Sequence, residues 1–118
     1  MKMIRMYTGP DNRSHLEELP LALKQETEIV ESMLLSPLNG QANLRISTGT
    51  MPNLHPAPRK QYLVLLEGNL DVIVGDGQTM AVGAGDIIKV EDTSGEGHLL
   101  RFRDGCERYM FFFAPIAN

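Results

Sequence analysis

Between Gln61 and Phe113, glycine returns at positions 68, 75, 77, 83, 85, 95, 97 and 105. The longest stretch left unbroken is the nine residues Asp86–Ser94. An isolated amphipathic helix needs about ten to twelve residues to show its period, so this half of the chain has no room for one. The runs between the glycines read as strands instead: Gln61–Leu66, Leu70–Val74, Thr79–Val82, Ile87–Val90, His98–Arg103 and Tyr109–Phe113. Glycine with Asp or Asn at Gly68-Asn69, Gly75-Asp76-Gly77, Gly83–Asp86 and Asp104-Gly105 supplies the turns. Many short strands at roughly eight- to twelve-residue spacing predict an all-β sandwich or barrel.

The upstream half is less regular. Met3–Tyr7 reads as a short strand, placed at an edge where it could pair with a second subunit. The TGPDN segment that follows is a turn. Ser14 and Glu17 form a capping-box pattern that predicts at most one turn of helix before Pro20 ends it. Glu28–Leu35 is read as a strand stopped by Ser36-Pro37. Asn39-Gly40 turns the chain into Ala42–Ser47, where Leu44 and Ile46 share one face and Asn43, Arg45 and Ser47 the other, the pattern of a half-buried strand. The final APIAN reads as a tail. The organisation expected is one domain over residues 1–118, with an N-terminal arm over about 1–27 and the core barrel over about 28–114.

Eleven Lys and Arg against fifteen Asp and Glu leave a formal charge of −4 with no basic run, which argues against a nucleic-acid surface. No apolar run is long enough to span a bilayer and no signal-peptide pattern opens the chain, so the expectation is a soluble cytoplasmic protein with no membrane partner. The single cysteine, Cys106, has no internal disulfide partner and sits in a turn-like DGCE segment.

Strand parity brings the polar residues together. His98, Leu100 and Phe102 share a face, and Arg101 and Arg103 the opposite one, so His98 points inward. Gln61 shares a face with Leu63 and Leu65, while Tyr62, Val64 and Leu66 make the other face apolar too. A strand buried on both sides asks for a cover such as a second subunit. An inward imidazole must be hydrogen-bonded, metal-bound or catalytic, because an unpaired buried polar group costs about 1–3 kcal/mol. Imidazole is also the usual acid/base group near neutral pH and a common ligand for divalent transition metals.

Two spaced motifs carry a resemblance. Gly49, His55, Gln61 and Gly68 follow the G-x5-H-x-H-x3-E-x6-G pattern, with Ala57 at the second histidine and Gln61 at the glutamate. Gly85 and Gly95-Glu96-Gly97-His98 follow G-x5-P-x-G-x2-H-x3-N, with Glu91 for the proline, two extra residues before Gly95 and Phe102 for the asparagine. Over roughly residues 40–113 the chain resembles a small single-domain cupin. The resemblance implies an all-β jelly-roll barrel, a double-stranded β-helix, and a homodimer. It also implies a site at His55, Gln61 and His98, whose matching positions in metal-binding cupins hold the ion, with one ligand position emptied at Ala57. The three residues are accordingly candidate metal ligands for Zn, Fe, Mn or Ni, or catalytic groups of a metal-free pocket.

Other residues are weighed beside them. His15 is either exposed or pocket-lining. Arg59, in parity with His55 and Gln61, is a solvated turn residue or an anion contact. Glu91, Asp92 and Glu96 read as a solvated loop, one of which could replace the missing ligand. Phe111, Phe112 and Phe113 read as core and subunit contact. The function expected is the processing of a small organic molecule in an internal pocket, by isomerase, lyase, cyclase or oxygenase chemistry. The alternatives are a non-catalytic pocket that binds or senses a small ligand, and a structural protein with a relict site.

Overall fold

The computed structural model describes all residues, Met1–Asn118. Apolar alternation and turn glycines produce eleven strands and no helix: β1 (Met3–Thr8), β2 (Ser14–Leu19), β3 (Lys24–Gln25), β4 (Glu31–Ser32), β5 (Asn43–Ser47), β6 (Gln61–Glu67), β7 (Asn69–Val74), β8 (Thr79–Gly83), β9 (Ile87–Glu91), β10 (His98–Phe102) and β11 (Tyr109–Pro115). No helix is long and apolar enough to cross a membrane.

Six strands form a mixed sheet in the order β2-β1-β9-β6-β11-β5, and three form a second sheet, β10-β7-β8. Within the large sheet only β1 and β9 run parallel; the other neighbours are antiparallel. Neither sheet closes on itself into a barrel. The core lies between them, fed by every second residue of the inner strands: Ile4 and Met6, Leu63 and Leu65, Leu70, Val72 and Val74, Ile88 and Val90, Phe111 and Phe113. Each such side chain contributes about 1.5–3 kcal/mol of burial. The aromatic residues of β11 interlock edge to face, Tyr109 on Phe111 at 5.0 Å and Phe111 on Phe113 at 5.7 Å between ring centroids.

Several expectations need correction. Met3–Tyr7 is no edge: β1 lies between β2 and β9, and β2 takes the edge. Ser14–Leu19 is a strand rather than a capped helical turn. Its burial alternates, with Ser14 and Leu16 in and His15 and Glu17 further out, and the Gly9–Arg13 turn brings it back along β1. The local capping pattern lost to pairing along β1, which satisfies one side of the strand, while the Gln78 side chain takes the Leu16 amide and carbonyl on the other. Of Glu28–Leu35 only Glu31 and Ser32 pair, with Gln25 and Lys24, around a turn held by the Thr27 hydroxyl. Ile29 is 92% and Leu34 97% exposed, so these two apolar side chains pack on nothing in the chain, while Ser32 and Met33 are half-buried. The apolar pair of β5 also faces outward, Leu44 and Ile46 being exposed; Arg45, exposed too, projects on the opposite face, where its guanidinium sits 4.7 Å over the Phe113 ring. The APIAN segment is not a tail. Ala114 and Pro115 are buried in β11, and Ile116 and Ala117 donate to the carbonyls of Lys60 and Pro37.

Tyr62 on the outer face of β6 is buried, and its hydroxyl accepts the Ser36 amide at 3.0 Å, so the chain's own upstream segment covers that end of the strand. Leu66 at the other end stays exposed. Phe112 points outward beside it while Phe111 and Phe113 enter the core.

Candidate functional site

His55 and His98 face each other across a short antiparallel bridge. The amide of each donates to the carbonyl of the other at 3.0 Å. This places the imidazole rings 5.0 Å apart between centroids, tilted by 49°. The close approach depends on Gly97, whose φ of +82° suits glycine and where a Cβ would overlap the backbone of His55. Two histidines 43 positions apart in the chain are thereby stitched together by backbone bonds.

Behind His98 lies a chain of buried polar groups. Asp92 is fully buried. Its Oδ2 accepts a hydrogen bond from His98 Nδ1 at 2.6 Å and another from the Ser14 hydroxyl at 2.6 Å. Ser14 is fully buried as well, and Asp92 Oδ1 has no partner. A carboxylate only accepts, so Nδ1 of His98 carries the proton and Nε2 is left with a free lone pair. His55 is fixed in the same sense: its Nδ1 lies 3.2 Å from the Asn53 carbonyl, which only accepts, so Nε2 is free there too. Gln61 is buried, and its Oε1 accepts from Arg59 Nε at 3.4 Å, leaving the amide NH2 unengaged.

Both imidazoles and Gln61 line one cavity of about 690 Å³, whose wall is otherwise mostly apolar and includes Ala57, Leu63, Val90, Leu100, Phe111 and Phe113. The three residues expected from the sequence are thus brought together. Two further contributors were read differently there. Asp92 belongs to no solvated loop but is the buried partner of His98, and Ser14 is no helix cap but the second donor to that carboxylate. The signal available in the sequence was parity: Ser14 alternates with Leu16. Glu91 and Glu96 do not join them. Glu91 pairs with Arg5, and Glu96 is an exposed partner of Arg13. Cys106 bonds to the backbone of a surface turn, away from the cavity lining.

His15 lies outside the cavity, stacked on Tyr7 at 5.7 Å, with Nε2 2.9 Å from Asp11. That hydrogen bond holds the Asp11 carboxyl below the usual carboxylate range.

The donors available to a metal are the two Nε2 atoms and the Gln61 amide oxygen. The imidazoles meet the requirement that metal-binding histidines share, a second nitrogen tied to an oxygen acceptor. The rest of the set is thin: no group of three His, Cys, Asp or Glu side chains could hold an ion, and Ala57 contributes only a methyl. Such a set lacks a negative charge to balance a divalent cation.

The chain matches no family model and no curated protein. Among solved structures it is similar to protein NMB1881 from Neisseria meningitidis, with 18% identity over 74% of this chain and 89% of that one and a TM-score of 0.48. At that distance no residue role carries across.

Proposed function

We propose that the cavity is the active site of a small-molecule enzyme of cupin-like, jelly-roll ancestry that works by proton transfer, with His98 as the general base. One observation carries this: the buried Ser14–Asp92–His98 chain ends at the wall of a largely apolar cavity. A carboxylate behind an imidazole fixes its tautomer and stabilises the imidazolium that forms when Nε2 accepts a proton. His98 Nε2 would take a proton from a carbon or hydroxyl of the substrate. His55, when protonated, would supply one from its own Nε2. The free NH2 of Gln61 would donate to oxygen as negative charge builds there. Isomerisation by a proton shift is that exchange alone; in an elimination the same base would remove the proton while the acid protonates the departing group, and in a cyclisation the base would deprotonate the attacking hydroxyl while the acid protonates the oxygen it displaces or adds to.

The same residues support a second version. In it His55, His98 and Gln61 would hold a divalent transition metal, Zn, Fe, Mn or Ni, which would supply Lewis acidity. The pinned Nδ1 atoms favour it. Metal analysis of the purified chain separates the two, a stoichiometric ion lost in His55→Ala and His98→Ala supporting the second.

Proton transfer itself is read by NMR, as deuterium exchange from D2O into a panel of small carbonyl compounds. Exchange by the wild-type chain that falls at least about a hundredfold in His98→Asn is the result expected of a general base. Binding without exchange across the panel would instead make the pocket a ligand-binding module.

We further infer that the chain works as a homodimer. The support is the apolar surface left bare by one copy: Leu44, Ile46, Leu66 and Phe112 on the outer face of the large sheet, and Ile29, Leu34 and Leu35 on the upstream segment.

A further inference from the structure

The charge pattern of the cavity wall narrows the ligand. None of the 16 lining residues is Asp or Glu, and the Asp92 carboxylate stands behind His98, outside the lining. Arg45 is the one lining side chain that is charged at every physiological pH. It makes no ion pair and no side-chain hydrogen bond. Four other arginines are ion-paired, Arg5 with Glu91, Arg13 with Glu96, Arg103 with Asp71 and Arg108 with Glu67, while Arg59 and Arg101 are not, and neither of those two lines the cavity. Arg45 is exposed and lies over the Phe113 ring at 4.7 Å, at the open rim of the cavity on an edge strand. A guanidinium in that position offers a planar fork of donors to an incoming anion, while the ring beneath it limits its freedom.

We propose that the cavity takes small organic carboxylates, with the carboxylate on Arg45 and an apolar or aromatic body against Leu63, Leu100 and Phe111. This rests on the reading of the cavity as a substrate pocket. It adds a binding determinant at the end of the wall formed by β5, with His55 and His98 left to act on the body of the molecule.

The test compares isosteres. 3-Phenylpropanoate and 3-phenylpropanamide are titrated into the full-length protein and followed by NMR. The carboxylate binds at least about tenfold more tightly to the wild type, a preference that weakens as salt is raised. Arg45→Gln brings the two ligands within about twofold, and Arg45→Lys retains part of the gap. An amide that binds as tightly as the carboxylate, or a wild type that favours neither, overturns the assignment and leaves the proton-transfer reading standing. Loss of exchange in a protein that keeps the carboxylate preference overturns proton transfer alone.

Discussion

Burying Asp92 takes a carboxylate out of water, and an unpaired buried charge is strongly destabilising. Two donors, Ser14 Oγ and His98 Nδ1, meet at Oδ2, and Oδ1 meets none. A purely structural carboxylate would be better served by donors on both oxygens. Asp92→Asn keeps the size of the side chain and removes the charge that favours an imidazolium. In the exchange assay its rate falls roughly ten- to a hundredfold, in line with removing the carboxylate that orients an imidazole. At this scale the sequence was legible for Gln61 and His98, because inward parity can be counted along a strand, and for His55 through the motif spacing that carries the resemblance. It was not legible for Asp92. A carboxylate in a run of Glu, Asp, Thr and Ser looks solvated, and only the fold reveals that Ser14, seventy-eight positions away, meets it.

The short bridge between His55 and His98 shows what an element contributes that side chains cannot. Two backbone hydrogen bonds set the ring separation, and Gly97 makes room for them. Gly97→Ala adds a methyl where the His55 backbone already lies, at a φ that disfavours any Cβ. Unfolding by urea should show a loss of more than about 1 kcal/mol, the scale of Ala forced into a positive-φ site. The control Gly77→Ala shares the positive φ but meets nothing within 4 Å, so it costs less. A Gly97→Ala variant no less stable than Gly77→Ala would contradict the close approach. The strands β6 to β11 followed from their glycines, but of the turns between them only the one joining β7 and β8 closes a hairpin; the others carry the chain from one sheet to the other. The placement of β1 beside β9, and the inversion of β5 that leaves Leu44 and Ile46 exposed, did not follow from them. Both depend on which distant strand offers a free edge.

At the scale of the whole molecule, the exposed apolar residues call for a partner. An isologous pairing that covers Leu44, Ile46 and Phe112 together with the segment around Ile29 and Leu34 would bury surface that a lone copy leaves in water. Sedimentation of the wild type is expected to give twice the chain mass, and Ile46→Lys with Phe112→Lys to give the monomer, both charges falling on a face now apolar. A wild type that sediments as a monomer at high concentration contradicts this. The all-β class could be read from glycine spacing. How the two sheets face each other could not, since no pairing signal joins them in sequence.

The claim on which the function turns is the state of one ring, and nitrogen-15 NMR of histidine-labelled protein reads it directly. The account predicts that neutral His98 carries its proton on Nδ1, seen as a strongly deshielded proton bonded to that nitrogen, and that the signal moves or is lost in Asp92→Asn. A His98 that carries its proton on Nε2 in the wild type, with Nδ1 unprotonated, would contradict it.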